Sequence, residues 1–392
     1  MKINVGVMFG GESVEHEVSI ISAMQAIEAL DKEKYNVFPI YISKTSDFYY
    51  SEKMFDVEFF QDLENAKKES SQVTFYKEND KAYMQAIKKK LFKNEKWNLD
   101  VMIPIMHGTN GEDGVIQGYL EMLNIPYSGS NTTASAVGQD KVLMKNVFSG
   151  NNIPIVDWFW FYSFDFEDKE KWLNKAEEIG YPLVIKPANL GSSIGISIVE
   201  NKEEFIEGSL LASEYDEKIV VEKAIRNLRE VNCSALGDVY NLQTSIIEEV
   251  NMGKEILTFD DKYLKDGKKT GSKSSGMASA ARQVPANLSE ELESKIHYLS
   301  KEVVRAINSS GVCRIDFLID EEENVFVNEI NSMPGSLAFY LWKDKGISFT
   351  TIMDNLIKTA VDRKRRQEKM IYTYDSNILK NFSNNGAKGV KK

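Results

Sequence analysis

The chain has 392 residues, of which 42% are hydrophobic and 27% are charged, and its 59 acidic and 48 basic residues give a net charge of −11. This length allows two or three domains with packed cores. The acidic balance argues against binding to nucleic acid or to an anionic membrane, because both partners favour clustered Lys and Arg. The basic segments "DRKRRQEK" and "AKGVKK" lie close to the C-terminus, and we interpret them as solvated ends.

Cysteine usage and hydropathy further narrow the class of protein to which the chain can belong. Cys233 and Cys313 are far apart and form no CxxC pair, so we expect neither a disulfide framework nor a zinc site. The N-terminus runs directly into a strand-like segment without an apolar signal region, and no stretch approaches the roughly 20 apolar residues of a membrane span. We therefore expect a cytoplasmic protein whose partners are small molecules.

Strands and helices alternate over the first third of the chain. "INVGVMFGGESVEHEVSIISAMQAIEAL" predicts a strand, a glycine turn and a helix, and "YNVFPIYIS" and "DVMIPIMHG" supply two further strands. This alternation predicts an α/β domain with a mostly parallel sheet, over residues 1–130. The segment "TASAVGQDKVLMKNVF" predicts a helix that opens the next part of the chain.

The rest of the chain has the pattern of an α+β fold. The short strands "YPLVIKPA", "GISIVE" and "KIVVEKAI" predict a central subdomain over residues 131–230. In a C-terminal subdomain over 231–370 we expect a strand "YNLQTSIIEEV", a helix over 289–308 that Gly311 ends, a hairpin, and the amphipathic helix "SFTTIMDNLIKTAVDRKRR". Residues 371–392 are interpreted as a flexible tail.

The segment "CRIDFLIDEEENVFVNEINSMPG" predicts a β-hairpin, because two alternating stretches flank the turn "EEEN". A four-residue connection predicts the pairs Asp320–Val325, Asp316–Glu329 and Arg314–Asn331. The apolar face of the hairpin would carry Cys313, Ile315, Phe317, Phe326 and Ile330. Directly opposed carboxylates lie roughly 5 Å apart and destabilise a hairpin.

The opposed carboxylates of Asp316 and Glu329 therefore need an explanation. Together with the amide of Asn331 they offer hard oxygen ligands, the kind that Mg²⁺ prefers. A divalent cation between them would convert the repulsion into binding, and nucleotide phosphates would complete its coordination. We favour this interpretation over an acidic surface without a ligand.

Three glycine-containing segments supply further candidate sites. "KPANLGSSIG" offers backbone N–H groups and the charge of Lys186 to an anion, although it is not a Walker sequence and a plain glycine hairpin is an equal alternative. "MFGGESVEHE" leads to a helix N-terminus, a natural anion site, and Glu15 and His16 lie there beside the positive end of the helix dipole; a merely structural helix start is the alternative. "HGTNGEDGVIQG" places His107 at the end of a strand, as a ligand or as a structural histidine.

The segments "GGESVEHEVS", "HGTNGEDGVIQG" and "IKPANLGSSIGIS" occur in this order and are followed by "FDDKYL" and by "RIDFLID" with "NEINSMPG". Together they resemble the D-alanine–D-alanine ligase family of the ATP-grasp superfamily, over residues 3–365. The resemblance implies three domains of α/β and α+β type, with ATP held between the second and the third. It also implies a homodimer that forms through the first domain.

The resemblance further implies a set of nucleotide and metal ligands. The nucleotide ligands would be Lys141 and Lys186 at the phosphates, Lys262 at the γ-phosphate, the hinge "VEKAI" with Glu222, Lys223 and Ile225 at adenine, and Glu230 at the ribose. The metal ligands would be Asp316, Glu329 and Asn331, on two Mg²⁺ ions with Mn²⁺ as an alternative. Metal and ATP phosphates would then join the paired carboxylates of the hairpin.

The reaction that the resemblance implies has two steps. ATP phosphorylates the carboxylate of one D-alanine, and the amine of a second attacks the acyl phosphate, which gives D-alanyl-D-alanine for peptidoglycan precursors. An acyl phosphate must be shielded from water, and the Gly, Ser and Lys content of residues 265–283 suits a mobile lid. A passive surface loop is the alternative for this segment.

The substrate ligands follow from the same resemblance. Glu15 would bind the ammonium of the first D-alanine in a hydrogen-bonded triad with Ser192 and Tyr263. His107 would lie near the first carboxylate. The oxyanion hole would consist of Arg314 and the N–H of Gly335.

The second substrate is the point where the chain departs from its family. Many relatives place a Ser five residues beyond the glycine of "NSMPG", where it helps to hold the carboxylate of the second substrate. Here Tyr340 takes that position and Leu341 follows it. Arg282, near the end of the lid, would supply a charge-assisted bond to this carboxylate. We favour D-alanine as the second substrate, with D-serine or another amino acid as the alternative.

Two other readings are less favoured. A ligase that esterifies D-lactate is disfavoured because relatives with this activity tend to lose the tyrosine that stands here as Tyr263. An inactive nucleotide-binding module would show eroded metal ligands, whereas all three predicted ligands are intact.

Overall fold

The computed structural model describes residues 2–88, 95–191, 193–250 and 282–376. Three predicted site residues, Ser192, Lys262 and Tyr263, lie outside the described residues, as do the predicted lid up to residue 281 and most of the predicted tail. The described parts form three sheets. No helix in these parts is long and apolar enough to span a membrane.

The first sheet has seven described strands in the order β6-β5-β4-β3-β2-β1-β7. Their bounds are β1 Ile3–Gly10, β2 Tyr35–Ile42, β3 Phe48–Tyr50, β4 Ser71–Glu78, β5 Lys81–Ala86, β6 Lys96–Leu99 and β7 Val101–Ile105. The three strands predicted from the sequence are β1, β2 and β7, and they form the parallel part of the sheet. Strands β3 to β6 extend the sheet as an antiparallel meander, which makes it a mixed sheet.

Three helices accompany this sheet: α1 His16–Ala29, α2 Leu63–Lys68 and α3 Val115–Met122. The predicted helix is confirmed as α1, and its apolar face is buried through Ile20, Ala23 and Ile27. This face and strand β1 share one hydrophobic cluster with the last helix of the chain, through Ile352 and Leu356. The first and last parts of the chain are therefore packed together, which brings their loops to a common cleft.

The second sheet has the order β10-β9-β11-β8 and is antiparallel throughout. Its elements are β8 Trp158–Tyr162, α6 Lys169–Ile179, β9 Leu183–Pro187, β10 Ser197–Val199, α7 Lys202–Ser213 and β11 Lys218–Lys223. The helix predicted before it is two helices, α4 Thr132–Gln139 and α5 Lys141–Gly150. Asp140 separates them because its carboxylate caps α5 by accepting the N–H groups of Val142 and Leu143.

The third sheet has the order β14-β13-β12-β15-β16. Its elements are β12 Arg229–Gly237, β13 Gln243–Val250, β14 Arg282–Gln283, α8 Glu290–Ile307, β15 Gly311–Ile319, β16 Val325–Asn331, a 3₁₀ segment Gly335–Lys345 and α9 Phe349–Gln367. Ser289 caps α8 at its start. The prediction that Gly311 ends this helix is wrong: Asn308 ends it in the left-handed conformation, and Gly311 begins β15.

The hairpin β15–β16 has the predicted pairs on its polar face, Asp316 with Glu329 and Arg314 with Asn331. The predicted pair at the turn is wrong. Val325 pairs with Ile319, and Asp320 instead begins the turn, where its N–H donates to the carbonyl of Asn324. The turn is therefore one residue longer than the four-residue connection expected.

A bulge at Asn328 reconciles the longer turn with the predicted polar pairs. The pairing shifts by one residue between Asp316 and Phe317, so Asn328 has no partner across the strands. The shift also reverses the faces beyond it. Val325 and Val327 enter the hydrophobic core, and Phe326, predicted on the core face, instead pairs with Leu318 on the side of the cleft.

Candidate active site

A cleft of about 350 Å³ is lined by strand residues of the second and third sheets and by residues that follow strands β1 and β7 of the first sheet. The predicted site residues in its wall are Glu15, His107, Lys141, Lys186, Glu222, Lys223, Ile225, Glu230, Arg282, Arg314, Asp316, Glu329, Asn331 and Gly335. Segments that are far apart in the sequence therefore meet around one space. Among the described residues predicted for the site, Tyr340 and Leu341 do not line this cleft.

Two lysines and one glutamate form a buried ion-pair cluster beside the cleft. The carboxylate of Glu222 lies 3.0 Å from Nζ of Lys145 and 2.9 Å from Nζ of Lys186. Burial alone would raise the pKa of Glu222, but the two lysines lower it to about 2. Sequence reasoning missed Lys145, although it follows Lys141 by four residues on α5 and so lies on the same helix face.

Lys141 lies at the start of α5, between this cluster and the polar face of the hairpin. Its Nζ donates to the carbonyl of Leu190 in the glycine loop, at 2.6 Å, and lies 3.9 Å from Glu329. Burial lowers the pKa of Lys141, against the opposite effect of Glu329. The arrangement therefore leaves a buried cation close to an acidic face, where an anionic ligand would gain from the charge.

The polar face of the hairpin is organised around Asp316. Arg314 donates to both of its carboxylate oxygens, from Nε at 2.6 Å and from Nη2 at 2.7 Å, and Asn331 donates to one of them at 3.1 Å. Burial and the nearby charge of Glu329 raise the pKa of Asp316, and Arg314 opposes them. The like charges on the two strands are thus partly offset by Arg314.

These residues fit a divalent cation as part of a larger donor set. Each carboxylate oxygen has more than one lone pair, so hydrogen bonds from Arg314 leave acceptor capacity on Asp316. Within the described ranges no group of three or more His, Cys, Asp or Glu is arranged to hold a metal. Two carboxylates and the amide of Asn331 are hard donors that would need phosphate oxygens to complete a Mg²⁺ site.

The bulge and the segment after β11 complete the lysine-rich end of the cleft. Lys186 donates to the side-chain oxygen of Asn328 at 3.5 Å, a contact that exists because the bulge releases Asn328 from strand pairing. Nζ of Lys223 donates to the carbonyls of Gly180 and Tyr181, at 2.8 and 3.1 Å. The ammonium of Lys223 thus holds the turn before β9 and stiffens the hinge.

The opposite end of the cleft combines two carboxylates with a histidine. Glu15 is the N-cap residue of α1, where the helix dipole favours a negative charge. Glu112 accepts the N–H of Gly108 at 2.9 Å and the N–H of Met333 at 2.9 Å. Burial and the charge of Glu15 raise the pKa of Glu112 to about 8. Glu112 lies within the motif "HGTNGEDGVIQG", and nothing in that pattern alone indicates its role.

His107 is held by protein groups on both ring nitrogens. Nδ1 lies 2.9 Å from the carbonyl of Met333, and Nε2 lies 2.9 Å from the hydroxyl of Ser22. Burial lowers the pKa of His107. A neutral ring that donates from Nδ1 and accepts at Nε2 satisfies both contacts.

A further buried carboxylate, that of Glu248, lies behind the wall of the cleft at Arg282. Glu248 is fully buried and accepts from Asn232 at 3.2 Å and from the hydroxyl of Tyr340 at 2.8 Å. Nη1 of Arg282 donates to the same hydroxyl at 2.9 Å and lies 3.4 Å from Glu248. Leu341 is fully buried in the hydrophobic core. Arg282 and Asn232 are therefore the members of this cluster that line the cleft.

Comparisons with known proteins agree with this geometry. Models of the D-ala D-ala ligase N-terminus and C-terminus match residues 4–130 and 147–358. The D-alanine–D-alanine ligase of Thermosipho melanesiensis is 38% identical over 380 residues, 96% of this chain and 98% of that protein.

Two solved structures are similar over nearly the whole chain. The D-alanine-D-alanine ligase from Coxiella burnetii has a TM-score of 0.78 and 29% identity, covering 94% of this chain and 96% of that one. The VanG D-Ala:D-Ser ligase from Enterococcus faecalis has a TM-score of 0.74 and 27% identity, covering 92% and 100%. The ATP-grasp fold is thereby confirmed, and the chain belongs to the D-alanine–D-alanine ligase family.

Proposed function

We propose that this protein joins two molecules of D-alanine in an ATP-dependent reaction that proceeds through an acyl phosphate, and so supplies D-alanyl-D-alanine for peptidoglycan. The observation that carries the proposal is a single cleft with charged side chains at both ends. At one end Asp316 and Glu329 oppose each other beside the buried Lys141, and at the other end lies Glu15. A polyphosphate and an amino acid can occupy these two ends together.

The nucleotide is assigned to the end with the lysines. Lys141 and Lys186 would bind the phosphates, since both are buried cations whose charge an anionic ligand would stabilise. The hinge after β11, with Ile225, would read adenine, and Glu230 would bind the ribose. Two Mg²⁺ ions on Asp316, Glu329 and Asn331 would supply positive charge to the phosphoryl group, as Mn²⁺ also can.

The first D-alanine is assigned to the end with Glu15. Its ammonium would pair with the Glu15 carboxylate, and its carboxylate would face Arg314 and the N–H of Gly335. The bonds from Arg314 to Asp316 use Nε and Nη2, so Nη1 is not used by that pair. Nη1 would donate to the oxyanion of the tetrahedral intermediate, where a fixed cation is most effective.

Several residues keep the roles that the sequence resemblance implies. Ser192 and Tyr263 would complete a triad with Glu15, and Lys262 would contact the γ-phosphate. Residues 265–283 would form a lid that keeps water from the acyl phosphate. His107 would lie near the first carboxylate, and its two protein contacts would act mainly to fix its position.

The second D-alanine would bind through its carboxylate to Arg282. Tyr340 and Glu248 hold one side of this guanidinium, and Arg282 and Gly335 line the same cleft. Tyr340, at the position that is a serine in many relatives, would thus hold Arg282 in place and would not bind the carboxylate itself. D-serine is the alternative second substrate, but the D-Ala:D-Ser ligase compared above is less similar, at 27% identity, than the curated D-alanine–D-alanine ligase, at 38%.

We further propose that the enzyme works in the cytoplasm as a homodimer joined through its N-terminal domain. The proposal for the compartment rests on the substrates, because ATP is a cytoplasmic metabolite. The proposal for the dimer rests on the family resemblance. Size-exclusion chromatography with light scattering would test the dimer.

The experiment that tests the function measures ADP release from purified protein with ATP and Mg²⁺. The panel should contain D- and L-amino acids and D-hydroxy acids, singly and in pairs, with the product identified by mass spectrometry. We expect release with D-alanine alone, with D-alanyl-D-alanine as the product. Release only when D-serine accompanies D-alanine would replace the proposal by the D-Ala:D-Ser reading.

A further inference from the structure

The loop that carries Gly335 is held from outside by the N-terminal part of the chain. Both backbone groups of Met333 are occupied: its N–H donates to Glu112 at 2.9 Å, and its carbonyl lies 2.9 Å from Nδ1 of His107. Three residues further on, the N–H of Ser336 donates to the hydroxyl of Ser22 on α1 at 3.0 Å. The contacts flank Gly335 on both sides.

These contacts form one connected network. The hydroxyl of Ser22 accepts from Ser336 and lies 2.9 Å from Nε2 of His107, whose other nitrogen contacts Met333. Ser22 is buried, so water cannot replace these bonds easily. We call Ser22, His107 and Glu112 the loop clamp.

The loop also has a strained backbone conformation, which its surroundings must stabilise. Ser336, Leu337 and Ala338 all have φ between 47° and 53°, in the left-handed region that side chains other than glycine avoid. Such strain persists only where the surroundings impose the conformation, and it is common at functional sites. The burial of Leu337 and Ala338 fixes one end of the turn, and the loop clamp fixes the other.

We propose that Ser22, His107 and Glu112 are positioning residues for catalysis: they hold the Met333–Ser336 loop so that the Gly335 N–H points at the developing oxyanion. The inference rests on the proposed function, because it takes Gly335 as an oxyanion donor. It assigns roles to Ser22 and Glu112 and gives His107 a task that does not require contact with substrate.

Helix α1 supplies a matched control. Ser19 is buried like Ser22 and lies three residues before it on the same helix. Its hydroxyl accepts the N–H of Gly10 at 2.8 Å and donates to the carbonyl of Ile105. Both of these partners belong to the first sheet. Ser19→Ala therefore removes a comparable pair of buried bonds without touching the Met333–Ser336 loop.

The test compares Ser22→Ala with Ser19→Ala in the full-length protein. Amide hydrogen exchange over residues 333–338 should become at least tenfold faster in Ser22→Ala and should stay at the wild-type rate in Ser19→Ala. In the ADP-release assay kcat should fall at least tenfold in Ser22→Ala, with the KM for ATP within twofold of wild type. Glu112→Gln should behave like Ser22→Ala, because an amide can accept only one of the two N–H groups.

The outcomes separate this inference from the proposed function. Unchanged exchange at residues 333–338 in both Ser22→Ala and Glu112→Gln would overturn the loop clamp whatever the enzyme does. Equal losses of kcat in Ser22→Ala and Ser19→Ala would show general destabilisation and would also overturn it. If exchange at residues 333–338 becomes faster in Ser22→Ala but the wild-type protein releases no ADP with D-alanine, the loop clamp stands. The proposed function would then be overturned, and with it the catalytic role of the clamp.

Discussion

Lys145 and Glu222 form an ion pair of 3.0 Å in which the two side chains are 0% and 3% exposed. Charges at such depth are tolerated only when they are paired, because each loses its hydration. Lys186 is the second partner of Glu222 and also faces the cleft. The cluster therefore connects the stability of the central sheet to a positive charge in the wall of the cleft.

The ion pair predicts a specific dependence of stability on pH. The folded-state pKa of Glu222 is lowered to about 2 from 4.5, so its contribution is present above pH 4.5 and is lost as the pH falls towards 2. Glu222→Gln should therefore lower the free energy of unfolding by about 3 kcal/mol at pH 6 and by less at pH 3.5. Urea unfolding of both proteins measures this, and a deficit that grows on acidification would contradict it.

The paired carboxylates predict the effect of removing one proposed metal ligand. Glu329→Gln should lower kcat by about 10²- to 10³-fold. The proposed metal site would lose one ligand charge and would bind less tightly the Mg²⁺ whose positive charge stabilises the transition state. The fold should survive, since the substitution removes a like charge opposite Asp316. Glu322→Gln, in the exposed turn of the same hairpin, is the control and should be fully active. A Glu329→Gln enzyme with a normal rate and normal Mg²⁺ dependence would refute the metal assignment.

Arg282 predicts a change confined to the second substrate. Arg282→Ala should raise the KM for the second D-alanine more than tenfold, because a charge-assisted bond contributes about 1.5–3 kcal/mol. Loss of the arginine also leaves the buried Glu248 without its cation, so Glu248→Gln in the same protein should recover part of the affinity.

The control for this variant is Arg229, which pairs with Glu249, the residue that follows Glu248 on β13. Arg229 binds Glu249 at 2.8 and 2.9 Å, and neither residue lines the cleft. Arg229→Ala should leave the KM for both D-alanines unchanged. If steady-state kinetics gave the same KM for Arg282→Ala and Arg229→Ala, the carboxylate would bind elsewhere.

The left-handed turn predicts a stabilising substitution. Ser336 has φ of 50°, in the left-handed region. An L-residue there has a steric cost of about 1–2 kcal/mol, which glycine avoids because it has no Cβ. Ser336→Gly should raise the free energy of unfolding by about 1 kcal/mol, whereas Ser336→Ala should not, because alanine keeps the steric cost. Thermal unfolding of the two variants decides this, and equal midpoints would mean that the turn is not strained.

The elements around the site were predictable where the pattern is strong. The alternating stretches on both sides of the turn predicted the hairpin. The Asp316–Glu329 pair was predicted correctly because the longer turn and the bulge at Asn328 offset each other. The helix at Ser289 carries both a cap and a regular apolar face. The break at Asp140 was present in the sequence as a capping residue, but the apolar residues on both sides continue the helical pattern and hide it.

Other parts could not be predicted because their signal is a contact, not a pattern. The bulge at Asn328 changes pairing without changing composition. Glu248 has the appearance of a solvent-facing residue in a strand, and its partner Tyr340 is 92 residues away. Ser22 is an unremarkable helix residue until Ser336, 314 residues later, is seen to donate to it. Local sequence patterns identify the reactive side chains, whereas the residues that hold them in place are distant in the sequence and are found only in the folded structure.

The shared core of the first and last parts of the chain has a consequence for synthesis on the ribosome. The apolar face of α1, with Ile20 and Ile27, packs against α9, which begins only at Phe349. Most of the polypeptide must therefore be made before this face is covered. Until then a growing chain exposes an apolar surface of the kind that chaperones bind and that aggregates if left open. A prematurely terminated product would carry the same exposed surface and would be a substrate for proteolysis.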